Sequence, residues 1–219
     1  MSILNIIEED EVIIETSLSY KDIQKLNPPL SIFKNILKPL KIIDKNGELL
    51  GWWPSVKDLF HPVAKNTSFS FVIEKRLCAM AMPSFYVRSI REEIEFLLSM
   101  NIHFIINLTD LDYKSPDYRK NFKIIDVPVP DFDAPTFDQI EKIWDIFKKS
   151  NSKKRLCIHC VAGRGRTGTV LACLIGRYYH LKPDIAIDKT RKMRPGSIET
   201  GLQEEFIWDY LYSLDDLYD

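Results

Sequence analysis

The sequence predicts an α/β protein: a central, mostly parallel sheet with helices on both faces, preceded by an N-terminal extension. Three observations carry this reading. From about Ser68 onward, short apolar runs alternate with longer segments whose apolar residues recur at helical spacing, the order that builds a parallel sheet. Runs such as Ile102-His103-Phe104-Ile105-Ile106-Asn107-Leu108 are almost continuously apolar, as strands buried on both faces are. The stretch from Lys154 to Gly168 passes from an apolar run through a glycine-punctuated loop into a helix, and open α/β sheets bind ligands beyond the carboxyl ends of their strands.

Taken in order, residues 1–67 form an extension of unknown role and residues 68–219 the main domain. In the extension an acidic run, Glu8-Glu9-Asp10-Glu11, sits among isoleucines, and Asn27-Pro28-Pro29 breaks the chain. Leu30 to Leu40 has helix-like spacing. Asp44-Lys45-Asn46-Gly47-Glu48 is a turn, with a hairpin between Ile42-Ile43 and Leu49-Leu50. Trp52 and Trp53 either pack on the main domain or offer a binding platform, with packing the preferred reading. The main domain opens with strands at Phe69–Ile73 and Leu77–Ala81, then a helix with Ile90, Ile94, Leu97 and Leu98 at core spacing. The Ile102–Leu108 strand follows, then a polar loop to Tyr118, a strand at Phe122–Val127, and a proline-stiffened loop from Pro128 to Pro135. Thr136-x-x-Gln139 fits a capping box opening a helix through Phe147. The strand before Cys160, a helix from about Thr167 to Tyr179, and helices at Asp184–Met193 and Leu202–Leu214 complete the chain.

Bulk properties bound the function. A formal net charge of -1 over 219 residues supplies no global field for nucleic acid or membrane. No stretch is long and apolar enough for a membrane span, and the N-terminus turns acidic without the basic region of a secretory signal. Cys78, Cys157, Cys160 and Cys173 show no disulfide-framework spacing and suggest a reducing, cytoplasmic setting. Cys157-x-x-Cys160 formally matches half of a zinc or redox motif, but nothing nearby completes a metal site.

The loop after the strand carries the chemistry. Gly163 and Gly165 let the backbone turn its N–H groups inward, and the helix mouth adds partial positive charge. Val161, Ala162, Gly163, Arg164 and Gly165 therefore form a cradle that suits phosphate. Cys160 lies at its floor, placed to act as a nucleophile toward phosphorus. Arg166 adds a planar fork for phosphoryl oxygens. The loop lacks the Gly-Lys-Ser/Thr ending of a nucleotide P-loop. A leaving oxygen needs a proton, and Asp131 and Asp133 are both candidates to give it.

His159-Cys160-Val161-Ala162-Gly163-Arg164-Gly165-Arg166-Thr167-Gly168 resembles the His-Cys-x5-Arg-Ser/Thr signature of the cysteine-based protein phosphatases. Arg76 to Pro83, the Pro130-Asp131-Phe132 setting and Arg194 to Thr200 resemble the small atypical dual-specificity members, over about Ser68 to Tyr212. The resemblance implies that Asp131, not Asp133, is the general acid and that the Thr167 hydroxyl eases departure of the thiolate. A helix N-cap is the plainer role for Thr167. His159 is expected to hold backbone and steady the loop. Gln203 either positions water or closes a capping box with Thr200, and both readings stand. The implied reaction is hydrolysis of phosphotyrosine, with phosphoserine and phosphothreonine, through a phosphocysteine and without metal or cofactor. The implied partner is a phosphoprotein, with no nucleic acid expected.

Three alternatives stay open: a phosphoinositide phosphatase, an RNA 5′-phosphatase, or a non-catalytic phospho-binding module. Val161 speaks against lipid, where extra loop lysines are usual, and Arg164 speaks for it. The short segment between Leu108 and Phe122 predicts a shallow pocket that accepts phosphothreonine as well as phosphotyrosine. Trp52 or Trp53 folded over the mouth would deepen it, and removing residues 1–66 would then broaden activity.

Overall fold

The computed structural model describes residues 4–7, 12–15, 39–86 and 89–215. Their apolar runs pair as strands β1 (Leu4–Ile7), β2 (Val12–Glu15), β3 (Leu40–Ile43), β4 (Leu49–Trp53), β5 (Ser70–Ile73), β6 (Leu77–Met80), β7 (Ile102–Asn107), β8 (Lys123–Asp126) and β9 (Arg155–His159). Among the described residues these form one sheet in the order β1-β2-β3-β4-β5-β6-β9-β7-β8. The β6-β9-β7-β8 half is parallel. The other half is antiparallel except for the β2–β3 pair. The parallel half needs helical crossovers and the hairpins do not, so the alternation of apolar runs and helices after Ser68 marks the parallel half.

The helices are α1 (Val56–Leu59), α2 (Pro62–Thr67), α3 (Ile90–Ser99), α4 (Asp117–Asn121), α5 (Phe137–Lys149), α6 (Gly165–Tyr179), α7 (Pro183–Met193) and α8 (Gly201–Asp215). Strand alternation sends Leu77, Ala79, Leu156, Ile158 and Cys160 to one face, where they meet Ile143 of α5, Leu171 of α6, Ala186 of α7 and Ile207 of α8. Cys78, Met80, Ile105 and Cys157 point to the other face and pack with Trp53, Val63, Phe96 and Tyr118. Helices therefore cover both faces, and α6 is buried from Gly165 to Gly176 between the sheet, α7 and α8.

Local chemistry sets the ends of the elements. The capping box at α5 forms in full: Gln139 N donates to Thr136 Oγ1 at 3.2 Å and Thr136 N to Gln139 Oε1 at 2.9 Å. Ser89 caps α3 by accepting from Glu92 N at 3.2 Å. On it Leu98 is 43% exposed, against the expected core spacing, and Glu93 is fully buried, its Oε2 accepting from the Tyr118 hydroxyl and from Ser84 N. The polar loop expected to Tyr118 ends in α4, and α1 and α2 follow β4 in the extension. The expected hairpin around Asp44–Glu48 is β3–β4, its turn closed by Asn46 N and Glu48 N donating to Asp44 Oδ1. Most of the helix expected over Leu30–Leu40, with Glu8–Glu11 and Asn27–Pro29, lies outside the described residues; Leu40 itself opens β3.

Trp52 and Trp53 are both buried. Trp53 lies 5.7 Å from Phe69 and 6.0 Å from Phe71, and Trp52 lies 5.0 Å from Phe71. Arg155 stacks its guanidinium over Trp52 at 5.2 Å. The pair packs into the sheet's second core, as the preferred reading had it, and not over the mouth of the glycine loop.

Candidate active site

Cys160 follows the last residue of β9 and is almost fully buried. The shape of the loop after it follows from where its carbonyls go. The Cys160 carbonyl faces His159 Nδ1 at 3.1 Å, and the Val161 carbonyl accepts from Met82 N at 2.9 Å. The Gly163 carbonyl accepts from Arg194 Nη2 at 2.8 Å. The Arg164 carbonyl accepts from Gly168 N at 2.6 Å, and the Gly165 carbonyl from Thr169 Oγ1 at 3.0 Å. Each carbonyl held outward turns the N–H of the next residue the opposite way, since the two share one planar peptide. The N–H groups of this loop and of the first turn of α6 are thereby gathered over Cys160, an anion nest. Gly163 has φ +69°, and a Cβ there would run into the Met80 carbonyl. Glycine is required at that point for both reasons.

Arg194 was not singled out in the sequence as more than part of a loop. It is buried and reaches four acceptors: Gly163 O, Ser68 O at 2.7 Å, Ser70 Oγ at 2.5 Å and Ala79 O at 3.2 Å. It thus ties the nest to β5 and β6. Helical periodicity cannot flag such a residue, because its partners lie far away in sequence.

Arg166 stands in the first turn of α6. Its Nη1 donates to Val129 O at 3.0 Å, and its Nη2 pairs with Asp131 Oδ1 at 2.9 Å. The Arg166 side chain is 7% exposed and that of Asp131 68% exposed, so the pair bridges the floor and the open mouth. The cleft between them has a volume of about 520 Å³ and is lined by Thr109, Asp110, Leu111, Asp131, Val161 and Arg166 among others. Asp133 turns away: its Oδ1 accepts from Ala134 N at 2.8 Å. The structure therefore brings Asp131, and not Asp133, to Arg166.

The loop carrying Asp131 is fastened from behind. Gln139 Nε2 donates to Pro128 O at 2.9 Å, Thr200 Oγ1 to Phe132 O at 3.1 Å, and Gln203 Nε2 to Asp133 O at 3.1 Å. Gln203 Oε1 accepts from Glu199 N at 2.8 Å, and Gln203 N donates to Thr200 Oγ1 at 3.3 Å. Only half of the expected capping box forms there, because the Gln203 side chain is committed to the Asp131 loop and to Glu199. Phe132 takes φ +62° at the tip of this loop.

Thr167 is fully buried inside α6, whose N-cap position is Arg164, so Thr167 is not the cap. Its hydroxyl has no hydrogen-bond partner among the described residues. Arg164 is exposed. Cys157 and Cys78 sit opposite each other on β9 and β6 and belong to the other face of the sheet from Cys160. His159 is buried behind the nest, and its Nε2 is 2.6 Å from the Tyr113 hydroxyl. Burial pushes the His159 pKa down to about 4, only partly offset by its bond to the Cys160 carbonyl. The imidazole is therefore neutral.

Known proteins are similar to this chain over the segment that carries the site. The family model described as "Polymorphic toxin system, DSP-PTPase phosphatase" matches residues 78–178, from β6 to the end of α6. The dual specificity protein phosphatase CDC14B of Mus musculus is 28% identical over 153 residues, which cover 66% of this chain and 31% of that protein. The chain spans about a third of the length of the first such curated relatives. The crystal structure of Tk-PTP in the active form aligns with a TM-score of 0.57 at 26% identity, covering 66% of this chain and 97% of that one. PTPMT1 in complex with PI(5)P aligns with a TM-score of 0.58 at 17% identity, covering 69% and 99%, a likeness of fold. Over these residues the chain is similar to cysteine-dependent phosphatases of the dual-specificity type.

Proposed function

We propose that the chain hydrolyses phosphomonoesters on protein side chains through a phosphocysteine. The observation that carries this is the convergence on one loop of Cys160 under inward N–H groups and the Arg166–Asp131 pair across its mouth. A phosphate monoester entering the nest as its monoanion displaces Asp131 from Arg166 and passes its proton to the freed carboxylate, which turns toward the leaving oxygen. Cys160 thiolate then attacks phosphorus in line, the bond from phosphorus to the leaving oxygen breaks, and protonated Asp131 gives that oxygen its proton. The loop N–H groups and Arg166 stabilise the equatorial oxygens. Asp131, now a carboxylate, takes a proton from the water that cleaves the sulfur–phosphorus bond. The partnerless Thr167 hydroxyl is our candidate for easing departure of the thiolate.

Among the described residues Arg166 is the sole cation lining the cleft, beside Asp110 and Asp131. That favours a single phosphate on a neutral or basic surface over a polyphosphorylated headgroup. The lipid reading keeps one supporting observation, the exposed Arg164 in the loop, alongside the PI(5)P named for PTPMT1. We assign catalysis to residues 68–219 and place the protein in the cytoplasm, since all four cysteines are free and buried. Among the described residues no helix is long and apolar enough to cross a membrane.

The test is turnover of p-nitrophenyl phosphate in EDTA by the full chain and by Cys160→Ser. Wild-type turnover, with none in the variant but retained binding of a phosphate analogue, supports the phosphocysteine route. Substantial turnover by Cys160→Ser would falsify it. Matched phosphotyrosine, phosphothreonine and phosphoinositide substrates then rank the classes, with phosphotyrosine expected first and phosphothreonine accepted.

A further inference from the structure

We propose, on the reading of Cys160 as the nucleophile, that Tyr113 is a positioning residue for the nest: by fixing which His159 nitrogen carries the proton, it holds the Cys160 carbonyl outward. A carbonyl oxygen only accepts, so the 3.1 Å contact between His159 Nδ1 and Cys160 O requires the proton on Nδ1. A neutral imidazole protonated at Nδ1 has a bare Nε2 that must accept. The Tyr113 hydroxyl, 2.6 Å away, is the donor that meets it. Burial pushes the Tyr113 phenol well above its ordinary pKa, so it keeps that proton. The reverse tautomer would set two lone pairs against each other at the Cys160 carbonyl and lose that bond, while the Tyr113 hydroxyl would have to turn round from donor to acceptor.

The brace continues behind Tyr113. Its ring stacks on Tyr118 at 5.0 Å and 30°, and the Tyr118 hydroxyl donates to the buried Glu93 carboxylate. Glu93 also accepts from Ser84 N at 2.7 Å. A line of packed and bonded groups thus runs from α3 through α4 to the end of β9. The other charged or titratable groups bearing on the pair are Asp126, Arg119, Cys157 and Arg166. Asp126 is itself held by Asn107 Nδ2 at 3.0 Å and Arg119 Nη2 at 3.0 Å. The consequence falls on the nest: the Cys160 carbonyl and the Val161 N–H share a peptide, so fixing one outward aims the other at the phosphate. A donor aimed at developing charge is worth most when it is held beforehand.

The test combines a spectroscopic and a kinetic readout on the full chain. In the wild type, ¹⁵N NMR of His159 should show Nδ1 protonated and Nε2 bare from pH 8 to pH 5. Tyr113→Phe removes one oxygen, and the two nitrogen signals should then move toward each other by exchange. Its kcat on p-nitrophenyl phosphate should fall about tenfold, a fraction of the roughly 10²–10³ lost when such a donor is removed outright, with a smaller change in KM. Nε2 protonation in the wild type overturns the proposal, and that measurement stands even if the variant does not fold. Wild-type kcat in a folded Tyr113→Phe overturns it too, whatever its melting temperature. An inactive wild type, or an active Cys160→Ser, instead sinks the catalytic reading itself.

Discussion

Acidification from pH 7 to pH 5 should cost the native state about 2 kcal/mol through His159. The imidazole is fully buried and its pKa is pushed down to about 4, whereas in the unfolded chain it titrates near 6.5. Between those values the unfolded chain binds a proton that the native one refuses. The stability tied to His159 is therefore full above about pH 6.5 and is lost as pH falls toward 4. At about 1.4 kcal/mol per pH unit the ceiling is about 3 kcal/mol, most of it spent by pH 5. Glu93 works in the opposite sense: burial raises its pKa, so its contribution grows as pH falls. Comparison with His159→Asn separates the two, because asparagine offers an N–H to the Cys160 carbonyl and does not titrate. Urea denaturation of both proteins at pH 7 and pH 5 gives the assay. The wild type should lose about 2 kcal/mol more than the variant over that interval. Equal losses would show that His159 is not held neutral by burial.

On a substrate with a poor leaving group, Asp131→Asn should lower kcat about 10²-fold and Asp133→Asn far less, since Asp133 is turned to Ala134 N; the opposite ranking in steady-state kinetics would reassign the acid. Mild peroxide should inactivate the enzyme without forming a Cys157–Cys160 or Cys78–Cys160 disulfide, because both partners lie on the far face of the sheet; peptide mapping that finds either bridge refutes that placement. A chain starting at Ser68 should fail to fold stably rather than gain activity: it loses buried Trp52 and Trp53, and each such loss costs about 3–5 kcal/mol. Circular dichroism showing a cooperative, wild-type melt for that fragment would contradict this. Gly163→Ala should abolish turnover, as its Cβ meets the Met80 carbonyl at a left-handed φ; an active, equally stable variant would show that the nest tolerates the displacement.

The sequence by itself determined the residues whose roles are local. The spacing from Cys160 to Arg166 and the glycines between them specify a strand, a nest and a helix mouth, because each is built within one short stretch. Thr136 and Gln139 announce the start of α5 for the same reason. Alternation along β9 sends Cys157 and Cys160, three residues apart, to opposite faces. The remaining features rest on contacts between distant segments. The choice of Asp131 over Asp133 by Arg166, the clamp of Arg194 on Gly163, and the bond of Tyr113 to His159 join residues 35, 31 and 46 positions apart. Nothing in local propensity encodes them. The same holds for Trp52 and Trp53, whose burial depends on β4 joining the sheet beside β5. It holds too for Glu93, a carboxylate that helical periodicity assigns to solvent and that Tyr118 and the Ser84 N–H make tolerable in the core.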